Sequence, residues 1–246
     1  MKYIKLFENF EDYDPYELMI IPPDKKSEMI AGEIKKDKPN LNLVNDLIVL
    51  GTNLDWKDED GQTLLHYAGT RGQIEITQML IDAGVDVNVQ DKENWNRTLL
   101  HWAASRGVVE IVKILISAGA NLDLQDKENC TALHWATIFG EVETAQILID
   151  AGANLNVQDI WFRTPLHLAI EWDRVEIIRM LIAAKADLNV KDDSARTPLH
   201  YAAIKMSADI IKNMIDNGAR KDIRDKDGRL PYDLAQTEEI RTILKP

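Results

Sequence analysis

The sequence predicts an all-α solenoid built from repeated helix pairs, and three observations carry that prediction. First, a quartet recurs: Thr63-Leu64-Leu65-His66, Thr98-Leu99-Leu100-His101, Thr131-Ala132-Leu133-His134, Thr164-Pro165-Leu166-His167 and Thr197-Pro198-Leu199-His200, at steps of 35, 33, 33 and 33 residues. A fixed period of this size marks a repeat architecture. Second, each quartet keeps its surroundings, with an Asp ahead of it (Asp58, Asp91, Asp126, Asp159, Asp192) and an Ala two residues past the His (Ala68, Ala103, Ala136, Ala169, Ala202). Third, an amphipathic run follows, such as residues 142–149, closed by Ala-Gly-Ala-Asn-Leu-Asn at 151–156.

The residues of each unit suit a helix pair. Thr is a good N-cap, because its hydroxyl accepts from a first-turn N–H. Pro165 and Pro198 follow it at a first helical position, where a missing N–H costs nothing. Gly84, Gly119, Gly152 and Gly218 end apolar-periodic runs, where a glycine takes the left-handed conformation. Each unit leaves apolar faces on both sides, so only stacked neighbours close the core.

Five in-register copies of this pattern resemble ankyrin repeats, from about residue 26 to 246. The resemblance implies helix-turn-helix units joined by β-hairpin-like loops, with five full repeats between atypical N- and C-terminal capping repeats. It implies a curved stack whose variable positions, at the hairpin tip and the last turn of the first helix, face a concave groove. The expected divisions are an arm at 1–25, an N-terminal cap at 26–56, repeats at 57–90, 91–125, 126–158, 159–191 and 192–224, and a C-terminal cap at 225–246.

The arm alternates aromatics (Tyr3, Phe7, Phe10, Tyr13, Tyr16) with acids (Glu8, Glu11, Asp12, Asp14, Glu17). It is expected to pack on the first repeat, with docking to a partner or to another copy of the chain as the alternative. Its first eight residues resemble the openings of phage-encoded proteins. In the first cap, helices are expected over Ser27–Lys36 and Leu43–Leu50. In the last, Leu230-Pro231-Tyr232 replaces the quartet and one short helix, Glu238–Leu244, remains.

Departures from the repeat are more informative than the repeat itself. Two extra residues lie between Asp91 and Thr98, lengthening a solvent-facing tip that tolerates length cheaply and placing Trp95 on it. Gly61 and Gly228 hold a tip position expected to need positive φ. Asn129 tolerates that region, but Phe162 and Ala195 do not, so those two tips are expected to adopt another turn. The glycine between the paired helices (Gly72, Gly107, Gly140) becomes Asp173 and Met206, where a strained or reshaped turn is expected.

Folding does not ask for large apolar residues at tips, yet Trp95, Ile138, Phe139, Ile160, Trp161, Phe162 and Trp172 stand at groove positions, flanked by Arg97, Arg106, Arg163 and Arg196. Contiguous exposed apolar surface marks interaction sites, and Trp and Arg dominate binding hot spots. The expected partner-binding set is therefore Trp95, Arg97, Arg106, Ile138, Phe139, Trp161, Phe162, Arg163, Trp172 and Arg196. Trp102 and Trp135, directly after the quartet histidines, are expected in the core.

Composition narrows the function. A net charge of −12 argues against nucleic acid or an anionic membrane as the main partner, and no apolar run approaches the ~18 residues of a membrane span. One cysteine, Cys130, excludes an intrachain disulfide and fits a reducing, cytoplasmic setting. The five histidines fall in separate repeats, about 10 Å apart if neighbours pack as helices do, too far to share a zinc ion. The resemblance instead implies that each holds its loop by local hydrogen bonds. No P-loop, GxGxxG, GxSxG or HExxH pattern occurs, and Cys130 lacks an orienting third group. The expectation is a non-enzymatic module, without cofactor or metal, that binds a folded protein partner through its groove, with acidic edges steering a basic partner. The alternatives are an acidic decoy or inhibitor of a host or nucleic-acid-binding protein, and homo-oligomeric assembly, with the N-terminal arm or the aromatic patch binding another copy.

Overall fold

The computed structural model describes residues 15–91 and 95–245. Among these there is no strand, only isolated bridges between Lys57 and Thr63 and between Asp91 and Arg97. The chain is thus an all-α repeat solenoid, and it divides into two compact units, up to Asp86 and from Val87 onward.

In the first unit, α1 (Pro15–Met19) is followed by the pairs α2 (Pro23–Ile34) with α3 (Leu41–Val49) and α4 (Leu64–Thr70) with α5 (Ile74–Asp82). Helix α2 packs on α4, and α3 on α5. It starts at Pro23 rather than at Ser27, because Pro22 and Pro23 lie at its N-terminus, where proline is pre-organised for a helix. Helix α3 likewise starts ahead of the expected Leu43, with Asn40 capping it by accepting from the Leu43 N–H. Leu18 and Ile21 are buried while Tyr16 is exposed. The remaining arm aromatics, Tyr3, Phe7, Phe10 and Tyr13, lie outside the described residues.

The second unit continues with α6 (Leu99–Arg106) and α7 (Val109–Ser117), α8 (Ala132–Phe139) and α9 (Val142–Asp150), α10 (Pro165–Glu171) and α11 (Val175–Ala183), and α12 (Pro198–Lys205) and α13 (Ala208–Asp216). A 3₁₀ helix at Pro231–Leu234 and α14 (Glu238–Leu244) close it. First helices stack in the row α6, α8, α10, α12 and then the 3₁₀ helix, and second helices in the row α7, α9, α11. The core lies between the rows. Leu100, Leu133, Leu166 and Leu199 of the quartets and Ile111, Leu148, Ile177 and Ile211 of the second helices are all among the buried side chains.

The tip turns correct an expectation. Phe162 (φ 59°) and Ala195 (φ 57°) adopt the same left-handed conformation as Gly61, Asn129 and Gly228. In all five tips, the N–H of that residue donates to the C=O of the leading Asp. The physical reason is the Asp side chain. Asp159 Oδ1 accepts from the N–H groups of Trp161 (2.9 Å) and Arg163 (2.8 Å), and Asp192 does the same for Ser194 and Arg196. Adjacent tips are then tied edge to edge by Ile160 N–H to Glu128 C=O and Asp193 N–H to Trp161 C=O, both 3.0 Å. So many bonds fix the turn that a side chain tolerates positive φ at a cost of about 1–2 kcal/mol.

The turns between paired helices differ as expected. Gly107 and Gly140 are left-handed and Asp173 keeps that conformation at φ 54°, a strained choice for a side chain. Met206 abandons it for an extended one (φ −96°, ψ 159°).

Candidate functional site

The quartet histidines are structural clips. The Thr98, Thr131, Thr164 and Thr197 N–H groups each donate to the Nδ1 of the histidine three residues on, at 3.1 Å. The opposite nitrogen carries the proton and donates to the next repeat: His167 Nε2 to Arg196 C=O and His200 Nε2 to Arg229 C=O, both 3.2 Å. Burial holds these imidazoles neutral, pushing His134 and His167 down to about 4 and lowering His101 and His200 as well. Each ring thus spends both nitrogens on folding. Cys130 is buried, and burial pushes its thiol up, away from the reactive thiolate.

The leading Asp of each tip takes further partners through Oδ2, and the residue after the quartet His decides which. Tyr67 donates to Asp58 (2.7 Å), Trp102 Nε1 to Asp91 (3.2 Å), Trp135 Nε1 to Asp126 (2.9 Å) and Tyr201 to Asp192 (2.6 Å). The Asp58 bond pushes the Tyr67 hydroxyl up to about 12. In the fourth repeat this residue is Leu168, which has no donor, and Arg163 Nε takes Asp159 instead at 2.9 Å. Trp102 and Trp135 are therefore not core residues. They are half-buried, tethered to the tips by their indole N–H groups.

Arg97 lies between these two indoles, with its guanidinium 3.9 Å from the centre of the Trp135 ring and 5.2 Å from that of Trp102. It pairs with the buried Asp126 at 3.2 Å. Arg106 also lies against the Trp102 ring, at 5.6 Å, and Phe139 stacks on Trp135 with ring centres 6.0 Å apart. Arg106, Trp102, Arg97, Trp135 and Phe139 thus form one continuous cation–aromatic stack across two repeats.

The other expected residues fall into place around this stack. Trp95, Trp161 and Phe162 stand exposed on tips, with Arg163 over the Trp161 ring at 4.6 Å and bound to Glu171 at 2.7 Å. Phe139 and Trp172 stand exposed at the far ends of α8 and α10, joined by Ile204 on α12. Ile138 is half-buried, with its C=O accepting from Arg174 Nη2 at 2.8 Å. Helix α10 has seven residues, so its rise of about 1.5 Å per residue sets the tip row and the helix-end row roughly 10 Å apart. The half-buried Trp102, Trp135 and Tyr201 lie on the helices between them. Of the arginines, Arg97 and Arg163 are already committed to buried carboxylates, and Arg196 is part-buried with its Nε–H enclosed.

Sequence reasoning missed the Trp102 and Trp135 floor. It also missed the ladder on the opposite edge of each loop. Asn88, Asp123, Asn156 and Asn189 each accept, at 2.8 Å, a backbone N–H from the next repeat. Gln90, Gln125 and Gln158 each donate to a next-repeat carbonyl. Their recurrence at the repeat period is the signal that could have found them.

A stack of tip-and-helix-pair units presenting one chemically distinct face defines a repeat scaffold. The model for ankyrin repeats (3 copies) matches residues 29–126, 73–159, 115–192 and 156–227, and the chain belongs to the ankyrin-repeat family, a class of protein-interaction scaffolds. Among solved structures it is similar to the ankyrin repeat domain of Bcl-3, described as a unique member of the IkappaB protein family. The TM-score is 0.78 at 23% identity, over 92% of this chain and 99% of that one. At that identity the likeness concerns the fold. No helix among the described residues is long and apolar enough to cross a membrane.

Proposed function

We propose that this chain is a non-enzymatic cytoplasmic interaction module that holds a folded protein partner against the face between its tips and its first helices. Phe162 carries the reading. The residue is 55% exposed at φ 59°, so it combines backbone strain with little compensating burial. Strain at an exposed aromatic is expected where the residue serves contact rather than folding. Around it, Trp161, Phe139, Trp172 and Trp95 supply rigid apolar area at low entropic cost, the composition of hot spots, and the Arg97 stack beneath holds the floor rigid. Preorganisation of this kind lowers the cost of binding.

The test is capture from a lysate of the organism that encodes the chain, with wild type beside a Trp161→Ala/Trp172→Ala double variant, at low and high salt. The expected result is one prey held by wild type at both salt concentrations and lost with the double variant. A prey retained by the variant but released by salt overturns the aromatic face and makes the acidic surface the site, as charge mimicry of a nucleic acid requires. No prey, together with a larger species on gel filtration that vanishes when residues 1–14 are removed, makes self-association the function.

A further inference from the structure

Four arginines occupy the last tip position before a first helix or its 3₁₀ equivalent: Arg97, Arg163, Arg196 and Arg229. Three have carboxylates. Arg97 reaches forward to Asp126 of the next tip, Arg163 takes Asp159 of its own tip together with Glu171, and Arg229 takes Asp225 and Asp227. Arg196 has none among the described residues, and its Nε–H is buried without an acceptor. The Oδ2 of its own Asp192 takes the Tyr201 hydroxyl at 2.6 Å, and that of Asp225, the forward carboxylate, takes Arg229 at 2.9–3.0 Å, whereas Asp126 Oδ2 takes Trp135 and Arg97 together. A guanidinium is always charged, and leaving its donors unmet in a part-buried place is costly.

We infer that Arg196 is the charge anchor of the proposed binding face, and that it takes a carboxylate from a partner segment whose flanking apolar side chains lie on Trp161 and Trp172. The inference rests on the proposed function and adds the partner's chemistry: an Asp or Glu side chain between aromatic or aliphatic residues. A carboxylate can meet the two terminal Nη groups end-on, the Nε–H being enclosed. The tip places Arg196 beside the exposed row, since Asp193 N–H bonds Trp161 C=O at 3.0 Å and Arg196 C=O receives His167 Nε2 at 3.2 Å. The acids already here are engaged: Glu171 with Arg163, Asp192 with Tyr201, and Asp193 with the Ser194 hydroxyl at 3.2 Å. The overall negative charge acts on the approach of a partner, whereas the anchor asks for one carboxylate at one point.

The experiment is selection of a random twelve-residue peptide library on the intact protein, followed by affinity measurement of the enriched peptides. The expected consensus is Asp or Glu flanked by aromatic or aliphatic residues. Binding should fall at least tenfold for Arg196→Gln, fall less for Arg196→Lys, fall for Trp172→Ala, and hold for Arg220→Gln, which alters an exposed pair elsewhere. Replacing the peptide's own acid by its amide should reproduce the Arg196→Gln loss, a readout independent of how that variant folds. Peptides lost on Trp172→Ala but lacking an acid, and indifferent to Arg196→Gln, overturn the anchor and leave the face standing. A library that enriches only peptides indifferent to both substitutions overturns both.

Discussion

Every repeat makes two sharp turns, one at the hairpin tip and one between its paired helices, and the two respond differently to losing glycine. At the tip, Phe162 and Ala195 replace glycine and the turn does not change. Between the helices, Asp173 keeps the left-handed conformation but Met206 leaves it. The tip is fixed by its surroundings: two backbone donors on one carboxylate, a bond to the neighbouring tip and a histidine clip. The helix turn depends instead on what is stacked over it. A Cβ on Gly107 would meet Glu141 Oε2 at 2.0 Å, and one on Gly140 would meet the Arg174 guanidinium at 3.0 Å. The residue at the equivalent place over Asp173 is Ser207, which is short. At Gly107 and Gly140 a long side chain of the next repeat lies on the glycine, whereas Gly72 has nothing within 4 Å of an added Cβ; at the tip glycine is dispensable.

Acid should break the tip layer most. His134 and His167 fall to about 4 in the folded chain, against about 6.5 unfolded, so protonation favours the unfolded state. Their contribution is intact above about pH 6.5 and is lost as pH falls toward 4, on the order of 3 kcal/mol for each. Urea melts at pH 7, 5.5 and 4.5 measure it, and a flat stability across that range would remove the clips from the account.

Asp159→Ala comes next. It strips two tip N–H groups and the part-buried Arg163 of their acceptor beneath a strained Phe162, with an expected loss of about 3 kcal/mol. Asp58→Ala, under a glycine and in a half-exposed tip, should lose only about 1 kcal/mol. Equal losses would mean that the carboxylate does not hold the non-glycine turns.

For the helix turn, Gly140→Asp should cost about 2 kcal/mol, combining positive φ with crowding of Arg174. Adding Arg174→Ser should recover part of it, as Ser207 accommodates Asp173. The smallest effect is a gain: Phe162→Gly relieves the left-handed strain and loses chain entropy, for a net stabilisation of about 0.5–1 kcal/mol. If partner binding weakens in that more stable variant, the ring is held there for contact.

The period, the helix pairs and the clip histidines were legible because each is local: a capping Thr, a first-turn Pro and an apolar spacing all lie within one stretch of chain. The tips were misread from Phe162 and Ala195 alone, although the Asp three residues before each was visible; intrinsic φ preference was weighed without the carboxylate that overrides it. Trp102 and Trp135 look apolar to periodicity, but their indole N–H groups reach Asp91 and Asp126, a contact that helix spacing does not encode. Arg97 and Arg163 read as free flanking charges because their partners are across the tip in space. That Arg196 lacks one follows only from tracing three tips together.

The Asn, Asp and Gln ladder bears on how such a chain is edited. Each rung offers the following unit the same acceptor and donor that it receives from the preceding one, as with Gln125, which takes a bond from Gln90 and gives one to Gln158 C=O. Units between Asp91 and Lys191 therefore share one pattern of ladder bonds at their seams. Excising residues 126–158 as a block would bring Gln125 against Lys191 C=O in the role now held by Gln158, whereas removing any fraction of that block would leave a rung facing nothing. Length in this chain is a quantity with a smallest step.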